Sequence, residues 1–141
     1  THIDHFIGFD RLLRDIFGKG KTIYLYGPEN FIENVAGKLA GFTWNLIDRY
    51  DESITIEVIE VHSDRLVKVK FIAAERFKKT EQKEETYTGG ILVDEDGFTV
   101  RTAILEHRVP CLGFALKEKY HLNINKERLE EMNFLYCRYG I

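Results

Sequence analysis

Two imidazoles and a carboxylate, His2, Asp4 and His5, stand within four consecutive residues at the start of the chain. A hydrolytic metal site needs neutral imidazole nitrogens or carboxylate oxygens that converge on one cation, with a coordination position left open for water. Zinc lowers the pKa of such a water to about 7 and so supplies hydroxide at neutral pH. The spacing is tight enough for a single turn to present all three side chains together. The string His-x-Asp-His is also short enough to arise by chance, and a polar loop at a frayed terminus is the plain alternative.

The elements that would position these groups follow directly. Phe9, Leu12, Leu13, Ile16 and Phe17 repeat at the i, i+3, i+4, i+7, i+8 spacing of a buried helical stripe, and Gly18 and Gly20 stop it. The ligands would then sit on a loop feeding a helix N-terminus. Residues 22–26 read as a short apolar strand. Gly27-Pro28-Glu29 reads as a helix start, with proline near the first helical position and an acid where the macrodipole favours it. Phe31, Ile32, Val35 and Leu39 make the stripe of that helix, Gly41 ends it, and Trp44, Leu46 and Ile47 are expected beneath the following link.

Residues 54–61 and 66–74 predict a hairpin joined around His62-Ser63-Asp64-Arg65. Residues 75–88 form a polar stretch expected to be a long loop. Residues 91–94 and 98–105 predict a second hairpin about the turn at 94–97, and its second strand delivers His107 at its end. A third strand is expected at 113–117. Asn125 is a plausible N-cap for a helix through about residue 132, with Glu127 and Arg128 in its first turn.

With 141 residues, 44% of them hydrophobic, the chain suits one domain with a core of its own. No apolar run reaches the roughly 18 residues of a membrane span and no signal peptide is visible, so no membrane partner is expected. Cys111 and Cys137 do not make a disulfide framework, which leaves the cytoplasm as the expected compartment. Each reads as a small apolar residue rather than a ligand.

A net charge of −3 argues against a generic polyanion binder. Between Arg65 and Lys83, however, seven basic residues (Arg65, Lys68, Lys70, Arg76, Lys78, Lys79, Lys83) face two acids (Glu75, Glu81), a local balance of +5. That cluster reads either as a phosphate-contacting patch or as a solvated strand face plus a polar loop; the alternation of Lys68 and Lys70 with Val67, Val69 and Phe71 favours the second. His62, among polar neighbours in a hairpin turn, and His121, in a polar link, read as solvated rather than ligating. Glu106 would point away from its neighbour His107 on an extended strand.

Three segments together resemble one family. Thr1-His2-Ile3-Asp4-His5 resembles the His-x-His-x-Asp-His turn of metallo-β-lactamase-fold hydrolases, less its leading His. His5-Phe6-Ile7-Gly8-Phe9 with Leu12-Leu13-Arg14, then Ile23-Tyr24-Leu25-Tyr26-Gly27-Pro28, resembles the stretch after that turn in the ribonuclease Z-like branch. Leu105-Glu106-His107-Arg108-Val109-Pro110-Cys111-Leu112-Gly113-Phe114 is similar to that branch's His-x-x-Pro-x-x-Gly-(Tyr/Phe) block. The resemblance covers residues 1 to about 132 and implies an α/β (α+β) fold. Specifically, it implies a single partial metallo-β-lactamase αβ/βα sandwich over residues 1–141, with mainly antiparallel strands and helices on one face.

The same resemblance implies that His2 and His107 ligate one metal and Asp4 and His5 the other. Asp4 would also take the acid–base role. Zn2+ is the implied metal, two ions per complete site, with Mn2+ or Fe2+ possible. The family's first His would precede Thr1, and its bridging Asp and last His would follow Ile141. This chain is therefore expected to be a fragment that is inactive alone. The family's opening strands, too, would precede Thr1, so an open sheet edge beside residues 23–26 is expected, with apolar helix surface left exposed.

The implied activity is metal-dependent phosphodiester hydrolysis, with tRNA 3′-end processing as a possibility. Precursor tRNA or a small phosphodiester would be the partner, and the full-length form a possible homodimer. Residues 117–132 lack the Gly- and Pro-rich character of the tRNA-gripping arm expected there. Two other readings stay open: a generic hydrolase of a small ester or phosphodiester on the same fold, and a non-catalytic fragment that needs a partner segment.

Overall fold

The computed structural model describes residues 2–120 and 125–132. A one-turn helix α1 (Ile3–Phe6) leads into α2 (Phe9–Ile16), strand β1 (Thr22–Gly27) and helix α3 (Phe31–Ala40). Then come strands β2 (Thr55–Val61), β3 (Arg65–Ile72), β4 (Lys83–Thr86), β5 (Gly90–Asp94), β6 (Phe98–His107) and β7 (Val109–Glu118), and the short helix α4 (Lys126–Glu131). Two sheets form, ordered β1-β2-β3-β4 and β5-β6-β7. Only β1 and β2 run parallel; every other pair is antiparallel. This is an α+β fold of mainly antiparallel strands.

Alternation in the strands explains the layers. Ile56 and Val58 on β2, with Val67, Val69 and Phe71 on β3, turn to one face of the larger sheet. There they pack against Phe9, Leu13 and Ile16 of α2 and Ile32, Val35 and Leu39 of α3. The helices thus cover a single face. On the opposite face Ile59, Val61 and Leu66 meet Tyr26, Tyr87, Leu92 and Leu112, which brings β5 and β7 of the smaller sheet against one end of the larger. The other end of that face carries Lys70 on Glu57 (3.3 Å) and Lys68 on Glu85 (2.5 Å), with Lys70 and Glu85 exposed and Glu57 and Lys68 half-buried.

Several boundaries differ from the sequence reading. Pro28 does not start α3; the helix begins at Phe31, after Asn30 adopts a left-handed conformation (φ 70°) and without any side-chain cap of its own. The missing acceptor comes from a distant strand. Glu60 of β2, 9% exposed, accepts the Ile32 backbone N–H at 2.9 Å. The polar stretch 75–88 holds β4, which pairs with β3 from Arg65↔Thr86 to Lys68↔Lys83. All four β4 residues are exposed, so an edge strand without an apolar face left no alternation to read. The strand expected at 113–117 is longer and begins at Val109, so the Pro110–Gly113 block lies within a ladder (Glu106↔Pro110, Ala103↔Gly113). Leu46 is exposed, whereas Ile47 is buried and Trp44 half-buried against the core. Asn125 does cap α4, its Oδ1 accepting the Arg128 N–H at 3.2 Å.

Truncating the remote cap gives a measurable effect. Glu60→Ala leaves the buried Ile32 N–H without a partner, a loss of about 1–3 kcal/mol. Glu60→Gln keeps an acceptor oxygen and should cost less. Urea denaturation of the two variants checks this, and equal midpoints for both would mean that Glu60 matters through its charge and not as a cap.

Candidate metal centre

The three ligand-type side chains at the N-terminus lie on and beside one helical turn, not on the loop expected from sequence. Backbone N–H groups of His5 and Phe6 both donate to the His2 carbonyl (3.1 Å each), which winds residues 2–6 and turns His2, Asp4 and His5 to a common side. One donor atom from each lies within 4.8 Å of the others. The rings of His2 and His5 are 6.4 Å apart between centroids, and His5 Nε2 is 3.5 Å from Asp4 Oδ2. With ligand bonds of about 2.0–2.2 Å, a first-row divalent cation fits between donors so spaced, and two nitrogens with one carboxylate suit zinc. All three residues are exposed, which leaves an open side for water or substrate.

His107 lines the same cleft from a distant part of the sequence. It closes β6, where Arg108, in the left-handed region (φ 63°), turns the chain into β7. A cleft of about 370 Å³ is walled by His2, His5 and His107 together with Tyr26, Gly27 and Pro28. The structure thus brings His2, Asp4 and His5 together, and sets His107 on the wall of the cleft that His2 and His5 also line. His107 is not itself part of the converging trio.

Tyr26 belongs to this wall, a site position that the sequence pattern does not mark although Tyr26 lies in one of the segments carrying the family resemblance. Its position was readable: on β1, residues 23 and 25 face the helices, so Tyr26 must face the other way, at the strand end that meets the Gly-Pro turn. Burial, reinforced by Glu57 and Tyr24, raises its phenol above the ordinary 10.0. Gly27 is required by close approach. A Cβ there would fall 2.2 Å from Cγ of Phe31.

His62 is not the solvated turn residue expected. Its side chain is 17% exposed and its Nε2 lies 3.3 Å from Oε2 of Glu60, beside the oxygen that caps α3. It is a structural partner of that carboxylate. Arg65 pairs with Asp64 (3.2 Å), Lys68 with Glu85 and Lys70 with Glu57, and Lys79 with Glu33. Much of the basic cluster is therefore neutralised locally, as a solvated strand face would be. Cys111 is a half-buried free thiol whose Sγ lies 3.5 Å from the Leu105 carbonyl. His121 and Cys137 lie outside the described residues, and no described helix is long and apolar enough to cross a membrane.

Comparison with known proteins adds a partial likeness. Ribonuclease Z of Deinococcus radiodurans is 27% identical over 133 residues, covering 94% of this chain and 40% of that protein. The chain thus spans well under half the length of the relative it matches. No family model matches the chain. No solved structure matches it.

Proposed function

We propose that this chain carries part of the metal centre of a hydrolase resembling ribonuclease Z, acting on phosphodiesters with zinc as the cofactor. The observation that supports it best is the convergence of His2, Asp4 and His5 within 4.8 Å on a cleft that His107 also lines. His2, Asp4, His5 and His107 are the residues that would hold metal. Zinc held there would supply Lewis-acid chemistry suited to phosphodiester hydrolysis. The chain's own groups do the rest. Asp4 accepts a proton at its carboxylate, the Gly27-Pro28 turn shapes the wall, and Tyr26 offers an O–H donor there. Precursor tRNA is the finer reading of the substrate, with a small phosphodiester or ester as the alternative. Because Arg65, Lys68, Lys70 and Lys79 already face carboxylates, a grip on RNA would have to draw on other residues.

Titrating the 141-residue protein with Co2+, followed by its visible absorption and by Zn2+ competition, tests the metal. His2→Ala, His5→Ala and His107→Ala should each weaken binding by more than about tenfold, the loss typical even of groups that only support a ligand. Unchanged affinity in His107→Ala would remove that residue from the ligand set. Unchanged affinity in all three would remove the metal centre. Turnover of bis(p-nitrophenyl) phosphate is expected to be negligible for residues 1–141 alone, and to appear when they replace the matching segment of the Deinococcus radiodurans ribonuclease Z.

A further inference from the structure

The turn that bears His2, Asp4 and His5 has almost nothing to hold it. No residue of α1 is buried, and the isoleucines at its start and just past its end face solvent, Ile3 84% and Ile7 72% exposed. A helix of one turn has no stability of its own, since nucleation is the costly step. Yet one side chain of α1 does pack against the core. Phe6 is half-buried and stacks on Phe9 of α2, ring centroids 4.9 Å apart with planes 28° from parallel. Its other neighbour is Phe31 of α3, at 6.2 Å and 59°. The Lys38 ammonium sits 6.0 Å above the Phe6 ring while paired to Asp10 at 3.0 Å, so α3 and α2 are tied together at the point where the ring enters. Phe31 in turn lies against Gly27, where any Cβ would collide with it.

We infer that Phe6 is the positioning residue of the candidate metal centre: its ring, held by Phe9 and Phe31, sets where His2, Asp4 and His5 stand relative to the cleft. The metal part of this inference rests on the reading proposed above; the mechanical part stands on the packing alone. Gly27 serves both sides of the arrangement, since it lines the cleft and leaves room for the ring that holds Phe6. A turn freed from this contact would sample many orientations, and the apparent metal affinity would fall by the fraction of time the ligands spend converged.

Phe6→Ala and the milder Phe6→Leu separate these parts. Amide hydrogen exchange of residues 3–7 in the metal-free protein should quicken at least about tenfold in Phe6→Ala and less in Phe6→Leu, while amides of β2 and β3 keep their protection. The Co2+ dissociation constant should rise in the same order, with the urea midpoint of Phe6→Leu close to that of the parent. Gly27→Ala, which displaces Phe31 without touching Phe6, should reproduce the faster exchange. If residues 3–7 exchange equally in parent and both Phe6 variants, the inference is overturned whatever the metal does. If exchange quickens and even the parent protein fails to take up Co2+, Phe6 still positions the turn and the metal reading is what fails. If exchange quickens while Co2+ affinity holds, positioning of the ligands is refuted and Phe6 only steadies the helix.

Discussion

Asp4→Ala is expected to abolish phosphodiester hydrolysis when this sequence replaces the matching segment of the Deinococcus radiodurans ribonuclease Z. The carboxylate is asked to do two things at once, to hold a cation beside His2 and His5 and to carry a proton. A positioned acid–base group alone contributes about 10²–10⁴-fold, and loss of a ligand adds to that. The substitution should leave folding almost untouched, within about 0.5 kcal/mol, because it lies on an exposed turn away from the core. Its side chain is 72% exposed and its near neighbour is His5. The pair of measurements is therefore diagnostic: initial rates on bis(p-nitrophenyl) phosphate and on a precursor tRNA, beside a thermal melt. Loss of both activities with an unchanged melt supports the assignment. Full activity in Asp4→Ala would place the chemistry elsewhere, and loss on tRNA alone would show that Asp4 contacts the larger substrate and not the reacting phosphate.

The second large effect concerns the core. Phe71→Ala should cost about 3–5 kcal/mol, against the roughly 5–15 kcal/mol that holds a domain of this size together. Phe71 is 1% exposed, pairs across the sheet with Ile56, and belongs to the face that the helices cover. Removing the ring leaves a cavity that strands on either side cannot collapse to fill. Urea denaturation measures the loss directly. A cost below about 1 kcal/mol would mean that α2 and α3 do not close over β3 as described.

What the sequence disclosed, and what it concealed, follows from where each signal lives. Phe9, Leu13 and Ile16 are buried because helical periodicity is a local property, and α2 and the two hairpins were legible for that reason. The start of α3 was not, because its cap is Glu60, 28 residues away, and no local pattern records that bond. The same carboxylate explains the misread His62, whose polar neighbours in sequence are not its neighbours in space. β4 was hidden by its exposure on both faces. As for the site, His2, Asp4 and His5 were visible from spacing, whereas the approach of His107 came through a family resemblance and not from any property of the residues themselves. Tyr26 was implied by the alternation of β1 but only became a site residue once the cleft was formed around it.

The order of strands has a consequence for how the cleft comes into being. β6 and β7 are joined at Arg108, and β2 and β3 across residues 62–64, so these pairings close short loops. The β1–β2 pairing instead joins Thr22 to Thr55, 33 positions along, and must wait for α3 to cross over the sheet. Closing the longer loop carries the greater entropic cost, and distant pairings are the slow ones. His107 therefore lies on the part of the molecule whose contacts are quick to form, while Tyr26, Gly27 and the turn of His2, Asp4 and His5 depend on the part that is slow. The cleft is therefore expected to be a late product of folding, with its two walls meeting after the parallel pair has been made.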